Sequence, residues 1–468
     1  MLEIHLPTTI FIRSLDLLET TGVAFNDPEA LDIFRQQDFN VDGKVVRFTE
    51  KQVRAALDSA PAAFKITARD PEKTVAIGGD DFVTLPGYGA PFVADLEGVQ
   101  REATMGDYDN FCKLIQTSPY LDMNGFMMVE PSDVPAQTAH LDMIFSNIVL
   151  CDKAFMGSPV SKAGARDCVE MASIVWGGRD RLEAVSPVTV SLINSLSPLQ
   201  FSDEMAGSLI ELARANQACV IASLIMAGSS GPVTLAGVLT LQNAEILAGL
   251  TLAQLVRPGA PIIYGSTSSA MDMRTGGLSI GAPELSQVIS ATAQMARFYN
   301  LPSRSGGGLT DAHAVDAQAG VESAIALSTA MRNGINFILH AAGILGSYIT
   351  MSYEKFLLDE ETVGILKKLI KPIEITDEAI DVEMIKNVGI GGQYLTHPKT
   401  FQLCRTEFFL TKMMNRQNQR GWKEAGSKRV DQVASDMLNR RLAGYEKPDI
   451  DPSVEQDLSA YVAQRKNG

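Results

Sequence analysis

The stretch PVTVSLINSLSP (187–198) is a short apolar run that stops abruptly at a polar turn, and a segment with helical spacing follows it. The same signature recurs in CVIASLIMAGSS (219–230), PIIYGSTSS (261–269), PSRSGGG (302–308) and INFILHAAG (335–343). Repeated strand-then-helix units specify a parallel sheet with helical crossovers. In such folds chemistry collects where the strands end.

Outward from that stretch, FVTLP (82–86) reads as a first strand, NGFMMVE (124–130) as a second, KAFMGSP (153–159) as a third and VTVSLIN (188–194) as a fourth. The remaining strands centre near 222, 263, 304 and 338. Helical stripes lie between them: Thr104 and Asp107 open a helix carrying Tyr108, Phe111, Cys112 and Ile115, and Ser202 caps another through Met205, Leu209 and Leu212. Later helices are expected at 241–256, 284–299, 317–333 and 353–370. Eight strand–helix pairs predict a (β/α)8 TIM barrel, catalytic, over residues 82–372. An open doubly wound sheet is the fallback, but its nucleotide fingerprint after the first strand is missing.

An N-terminal α/β region over 1–81 precedes the barrel, with a Thr49–Gln52 capping pattern and strands at 64–68 and 74–78. A C-terminal helical region over 373–468 follows, with helices expected at 376–387, 406–419, 427–443 and 452–464.

The net charge of −15 argues against nucleic acid as a partner. Cys112, Cys151, Cys168, Cys219 and Cys404 are scattered and form no C-x-x-C pair, which suits a reducing cytoplasm. The first residues lack a secretory pattern, and the apolar run at 244–256 is interrupted by Thr251 and Gln254, so no membrane segment is expected. His5, His140, His313, His340 and His397 are dispersed without zinc-like spacing, and no metal site is expected.

At the strand ends stand Tyr88, Phe92 and Asp95, then Glu130, Ser158, Asn194, Met226, Tyr264, Ser266, Ser305 with Gly306, Gly307 and Gly308, and His340. Few of these are charged, and none is a lysine suited to Schiff-base chemistry. The SRSGGG run fits either backbone capture of a cofactor phosphate or a tight turn. Nine Lys or Arg between 405 and 441, against four acids, form either a solvated face or a docking surface for an acidic partner.

Three long segments, PVTLAGVLTLQNAEILAGLTLAQLVRPGAPIIYGSTSSAMDMRTGG (232–277), LPSRSGGGLTDAHAVDAQAGVESA (301–324) and NFILHAAGILGSYITMSYEKFLLDEE (336–361), resemble the trimethylamine methyltransferase family, as does GYGAPFVADLEGVQREAT (87–104). The resemblance implies transfer of a methyl group from an amine to the cobalt of a separate corrinoid protein, with no tightly bound cofactor of the chain's own. Trimethylamine-using members carry pyrrolysine, whereas this chain holds only the standard residues. It looks like the non-pyrrolysine branch, in which glycine betaine is the leading donor and proline betaine, carnitine and γ-butyrobetaine are alternatives.

For such a donor Tyr88, Phe92 and Phe356 are expected to wall the cation, with Tyr264 and Glu130 also binding substrate. His340 is expected to take the carboxylate, and Asp95 to lie near the ammonium. Two readings of other classes stand beside it: a barrel lyase or aldolase acting on a phosphorylated metabolite, and a scaffold that only holds a corrinoid protein. Homo-oligomerisation is a further expectation.

Overall fold

The computed structural model describes residues 6–467; His5 lies outside them. Seven parallel strands form one curled sheet: β1 (Val83–Pro86), β2 (Phe155–Met156), β3 (Thr189–Asn194), β4 (Ala218–Ser223), β5 (Ile262–Ser266), β6 (Ser303–Gly306) and β7 (Phe337–Ala342). Their spatial order is β1-β7-β6-β5-β4-β3-β2, so the first strand in the chain pairs with the last. β3, β4 and β5 are buried along almost their whole length, as strands covered on both faces must be.

The expected second strand is the main departure. Residues 124–130 make only isolated bridges at Asn124 and Val129. The Asp122 N–H donates to the Thr84 carbonyl (2.9 Å), the Asn124 N–H to the Ala154 carbonyl (2.8 Å), and Asn124 in turn accepts from Met156 (3.0 Å). The segment thus touches both edges of the sheet. Beyond Gly125 it turns aside to pair with the 87–91 loop, where the Gly89 N–H meets the Met127 carbonyl (2.6 Å) and the Glu130 N–H meets that of Ala90 (2.9 Å). Its backbone groups go to a loop instead of a ladder.

The layer of helices follows the expected pattern: α1 (Met105–Gln116), α2 (Ala139–Leu150), α3 (Lys162–Trp176), α4 (Asp203–Arg214), α5 (Leu235–Val256), α6 (Pro283–Phe298), α7 (Ala317–Arg332) and α8 (Tyr353–Leu369). Thr104 and Asp107 form a full capping box on α1, and Ser202 caps α4. α5 is 22 residues long and apolar enough to cross a membrane, but 78 % of its apolar window is buried inside this protein. It serves as a core helix, packed beneath the N-terminal helices Leu6–Thr20 and Glu50–Ser59.

Near the N-terminus the Thr49–Gln52 capping box and the Ala63–Ile66/Val75–Gly78 hairpin form as expected. A small sheet, Val23–Phe25 with Asn40–Asp42 and Val45–Arg47, recruits Gln200–Phe201 from the loop after β3, which ties this region to the central sheet. At the other end, Val430–Ala443 and Pro452–Asn467 are helical. The helix expected at 406–419 does not form. The N–H groups of Lys412, Met413 (3.1 Å) and Met414 (3.1 Å) converge on the Glu361 carboxylate, so these donors are not available for i→i−4 bonds.

Candidate active site

β7 sets the site's geometry. His340 takes a left-handed backbone conformation (φ +58°) within the strand, where the register to β1 shifts between Ile338 and Ala342. A non-glycine residue held at positive φ costs about 1–3 kcal/mol and persists only when its surroundings over-determine it. The His340 carbonyl accepts from the Gly308 N–H (2.7 Å), and its imidazole packs 4.9 Å from the Tyr348 ring and 6.5 Å from that of Tyr88. Tyr348 is itself at positive φ (+80°).

Arg304, on β6 and only 1 % exposed, sets its charge near enough to act on all three rings. Its Nη1 reaches the Ser266 carbonyl (3.3 Å), and its Nε has no protein partner. Burial lowers its pKa to about 10, with Tyr348 and Tyr88 the only compensating neighbours and no carboxylate among them. Burial, reinforced by the Arg304 charge, pushes His340 well below the usual histidine range, so the imidazole is neutral at pH 7. His340 Nδ1 and Tyr348 Oη are also buried without partners. Buried polar atoms left without a protein partner around one buried cation mark a polar site within the core.

The opposite sign sits at the rim. Glu130 is exposed, and the atoms packed around its carboxyl raise its pKa. Burial raises the Tyr88 phenol, and the Glu130 charge raises it further. Pairing of the 87–91 and 127–130 loops brings the two together.

Of the residues singled out from sequence, Tyr88, Glu130 and His340 converge, and Ser266 joins them through its carbonyl on Arg304. Tyr264, Phe356 and Asp95 stand elsewhere. Tyr264 is fully buried on the outer side of the sheet, where its hydroxyl bonds Asn243 (3.0 Å) and its ring meets Tyr299. Phe356 is fully buried against Phe111, a core position behind Gly343. Asp95 is exposed and its carboxylate accepts from the Glu97 and Val99 N–H groups (3.1 and 2.9 Å), closing its own turn. Phe92 is half-buried in a small sheet whose next strand, Thr350–Ser352, follows Tyr348.

The glycines after β6 are sites of close packing. A Cβ at Gly306 would meet Leu309, at Gly307 Ile338, and at Gly308 the Ala341 carbonyl at 2.7 Å. The Gly308 N–H is already taken by His340, and Ser305 Oγ bonds the Gly306 carbonyl (3.0 Å). Arg304 is the residue that sequence reading passed over. Its signal was a lone arginine between two serines in a strand otherwise free of charge.

Charged and polar groups near the carboxyl ends of a parallel sheet are the setting in which enzymes of this layout hold small molecules. The chain belongs to the trimethylamine methyltransferase (MTTB) family, whose profile matches residues 8–468, and it is a methyltransferase. It is 46 % identical to a glycine betaine methyltransferase of Desulfitobacterium hafniense (strain Y51), over 97 % of this chain and 94 % of the relative. It is 34 % identical to a proline betaine:corrinoid methyltransferase of Eubacterium limosum (96 % and 94 % covered) and 31 % identical to trimethylamine methyltransferase MttB of Methanosarcina thermophila (96 % and 94 % covered). Among solved structures, the Methanosarcina barkeri monomethylamine methyltransferase (MtmB) aligns over 95 % of this chain and 94 % of its own, with a TM-score of 0.45 and 9 % identity.

Proposed function

We propose that the enzyme moves a methyl group from a zwitterionic quaternary amine, glycine betaine first among the candidates, to Co(I) of a separate corrinoid protein, leaving dimethylglycine. The observation that carries the reading is Arg304, a buried guanidinium with no carboxylate of its own. An unpaired buried charge is costly, so a ligand carboxylate that pairs with it gains a strong charge-assisted contact. Trimethylamine offers no such group, whereas a betaine does.

In this reading His340, neutral and with Nδ1 free, adds a hydrogen bond to the donor's carboxylate. Tyr88 and Tyr348 face the cationic end, where a ring is worth about 0.5–2 kcal/mol to a quaternary ammonium. Glu130 supplies the counter-charge. Phe92 completes the wall from the small sheet.

The chemistry asks little more of the chain. The C–N bond breaks with its electron pair going to nitrogen, so the leaving group is a neutral tertiary amine and no general acid is required. The cobalt's pair forms the new Co–C bond. The protein's part is to hold one N-methyl carbon in line and to exclude water. Because positive charge on the amine is consumed, a site that grips the distant carboxylate does not resist the transition state as a complete anionic cage would.

The hydrogen bonds of residues 122–124 to both sheet edges support a closed eight-stranded barrel. Free cysteines, four of them buried, support residence in a reducing cytoplasm.

The test follows methyl-Co(III) formation by absorbance, with the cognate Co(I) corrinoid protein and glycine betaine, proline betaine, carnitine, γ-butyrobetaine or trimethylamine. Signal with a betaine, and a loss of about 100-fold or more in kcat/KM in Arg304→Gln, is expected. Turnover of trimethylamine alone, or an Arg304→Gln enzyme with unchanged betaine kinetics, would defeat the reading.

A further inference from the structure

Past α8 the chain leaves the body of the molecule and returns at Phe409, which packs on Tyr120. The intervening residues 373–408 contain three short helices, yet none of their side chains is buried. Among the described residues, every hydrogen bond and ion pair they make is internal, as where Lys399 holds Asp381 (2.6 Å) and the Glu378 carbonyl (2.6 Å). This arm is braced against itself and against nothing else.

Its outer surface is apolar. Ile373 (87 % exposed), Ile375, Ile390 (110 %), Leu395 (83 %), Phe401 (82 %) and Phe408 all face outward, and nearly half of the molecule's exposed large apolar side chains fall in this stretch. At about 100–200 Å² per fully exposed side chain, the arm presents on the order of 1,000 Å² of apolar surface. A standard interface takes about 800 Å² from each partner, and isolated chains rarely leave so large a patch open.

We infer that the arm clasps a second copy of this chain. Two observations select that occupant. The first half of the arm is acidic, with Glu374, Asp377 and Glu378 in no ion pair among the described residues, while its own root carries two unpaired cations among groups of both signs. There a cavity of about 280 Å³ is lined by Lys412, Arg440 and Arg441 together with Glu360 and Glu361; Arg441 pairs with Glu360 and the Glu361 carboxylate takes backbone N–H groups, whereas Lys412 and Arg440 form no ion pair among the described residues. An acidic arm beside unpaired cations at its root is self-complementary, so two copies related by a two-fold axis satisfy each other.

The arm also starts far from where a methyl acceptor must approach. It begins at the far end of α8, 17 residues and so about 25 Å from the strand-end loops. The inference does not depend on which donor the enzyme uses.

Sedimentation velocity on the full chain at about 1–50 μM tests it. A dimer or larger closed assembly is expected, dissociated by Ile390→Asp with Leu395→Asp. The charge-reversed chain Lys412→Glu/Arg440→Glu should self-associate at least tenfold more weakly and recover when mixed with Glu374→Lys/Glu378→Lys, which reads the same contact if the apolar variant fails to fold. A monomer across the range, assembly indifferent to both sets of changes, or a monomer whose arm instead captures the corrinoid protein would each overturn it.

Discussion

At the residue scale the site rests on two unusual positions, Arg304 and His340. Because burial lowers Arg304 to about 10, the free enzyme keeps its cation through neutral pH. Under the proposed function, kcat/KM for a betaine should hold up to that point and fall as pH rises through about 10, read from a pH profile on enzyme shown to remain folded. His340 should separate activity from stability. His340→Gly relieves the positive φ while removing the ring, so thermal unfolding should show little loss while betaine turnover falls at least tenfold. A parallel collapse of both would make His340 a packing residue. Tyr88, Glu130 and His340 were legible as strand-end positions. Arg304 was not, because a charge within a strand acquires meaning only when burial and the lack of a counter-ion are known. Tyr264 and Phe356 misled for the converse reason: an aromatic near a strand end can face the helices as readily as the lumen.

At the element scale, caps and crossovers were the readable parts. Asp107 caps α1 and also receives Arg101 (2.6 Å) and the Tyr353 hydroxyl (2.7 Å). Burial alone would raise its pKa, but the hydrogen bonds from Arg101, Tyr353 and Thr104 win and hold it at about 2, below the ordinary 3.8. Its stabilisation is therefore complete above about pH 4 and is lost as pH falls toward 2. Asp107→Ala should cost roughly 2–3 kcal/mol in urea unfolding at pH 7 and flatten that acid dependence.

Glu245 on α5 is fully buried and accepts from Ser195 (2.5 Å), Ser197 (2.8 Å), Ser223 (2.7 Å) and the Leu199 N–H (2.8 Å). Glu245→Ala strands these donors at the end of β3 and should destabilise by about 3 kcal/mol or more, again by urea titration. Residues 124–130 and 406–419 defeated local reading because partners remote in sequence, the 87–91 loop and Glu361, claim their backbone donors.

At the scale of the whole molecule one buried ion pair fastens the site's floor. Lys355 on α8 holds Asp359 (2.6 Å) and Ser323 on α7 (2.7 Å), and Asp359 accepts from the Gly343 N–H just beyond β7 (2.9 Å). Breaking it by Asp359→Ala should cost about 3–5 kcal/mol, whereas replacing both residues with packed apolar groups should cost far less. Equal losses in calorimetry would show that the hydrogen bonds, and not the uncompensated charge, dominate.

Sequence alone determined the alternation of strands and helices, seven of the eight expected strands, all eight helices of the layer, and the family. Those features rest on short-range periodicity, capping and long runs of matching residues. Tertiary structure decided the rest: that Arg304 is buried beside His340 without a counter-ion, that the expected second strand is an irregular bridge across the sheet, and that residues 373–408 stand clear of the body. Each depends on which distant groups meet in space, and local pattern carries no record of that.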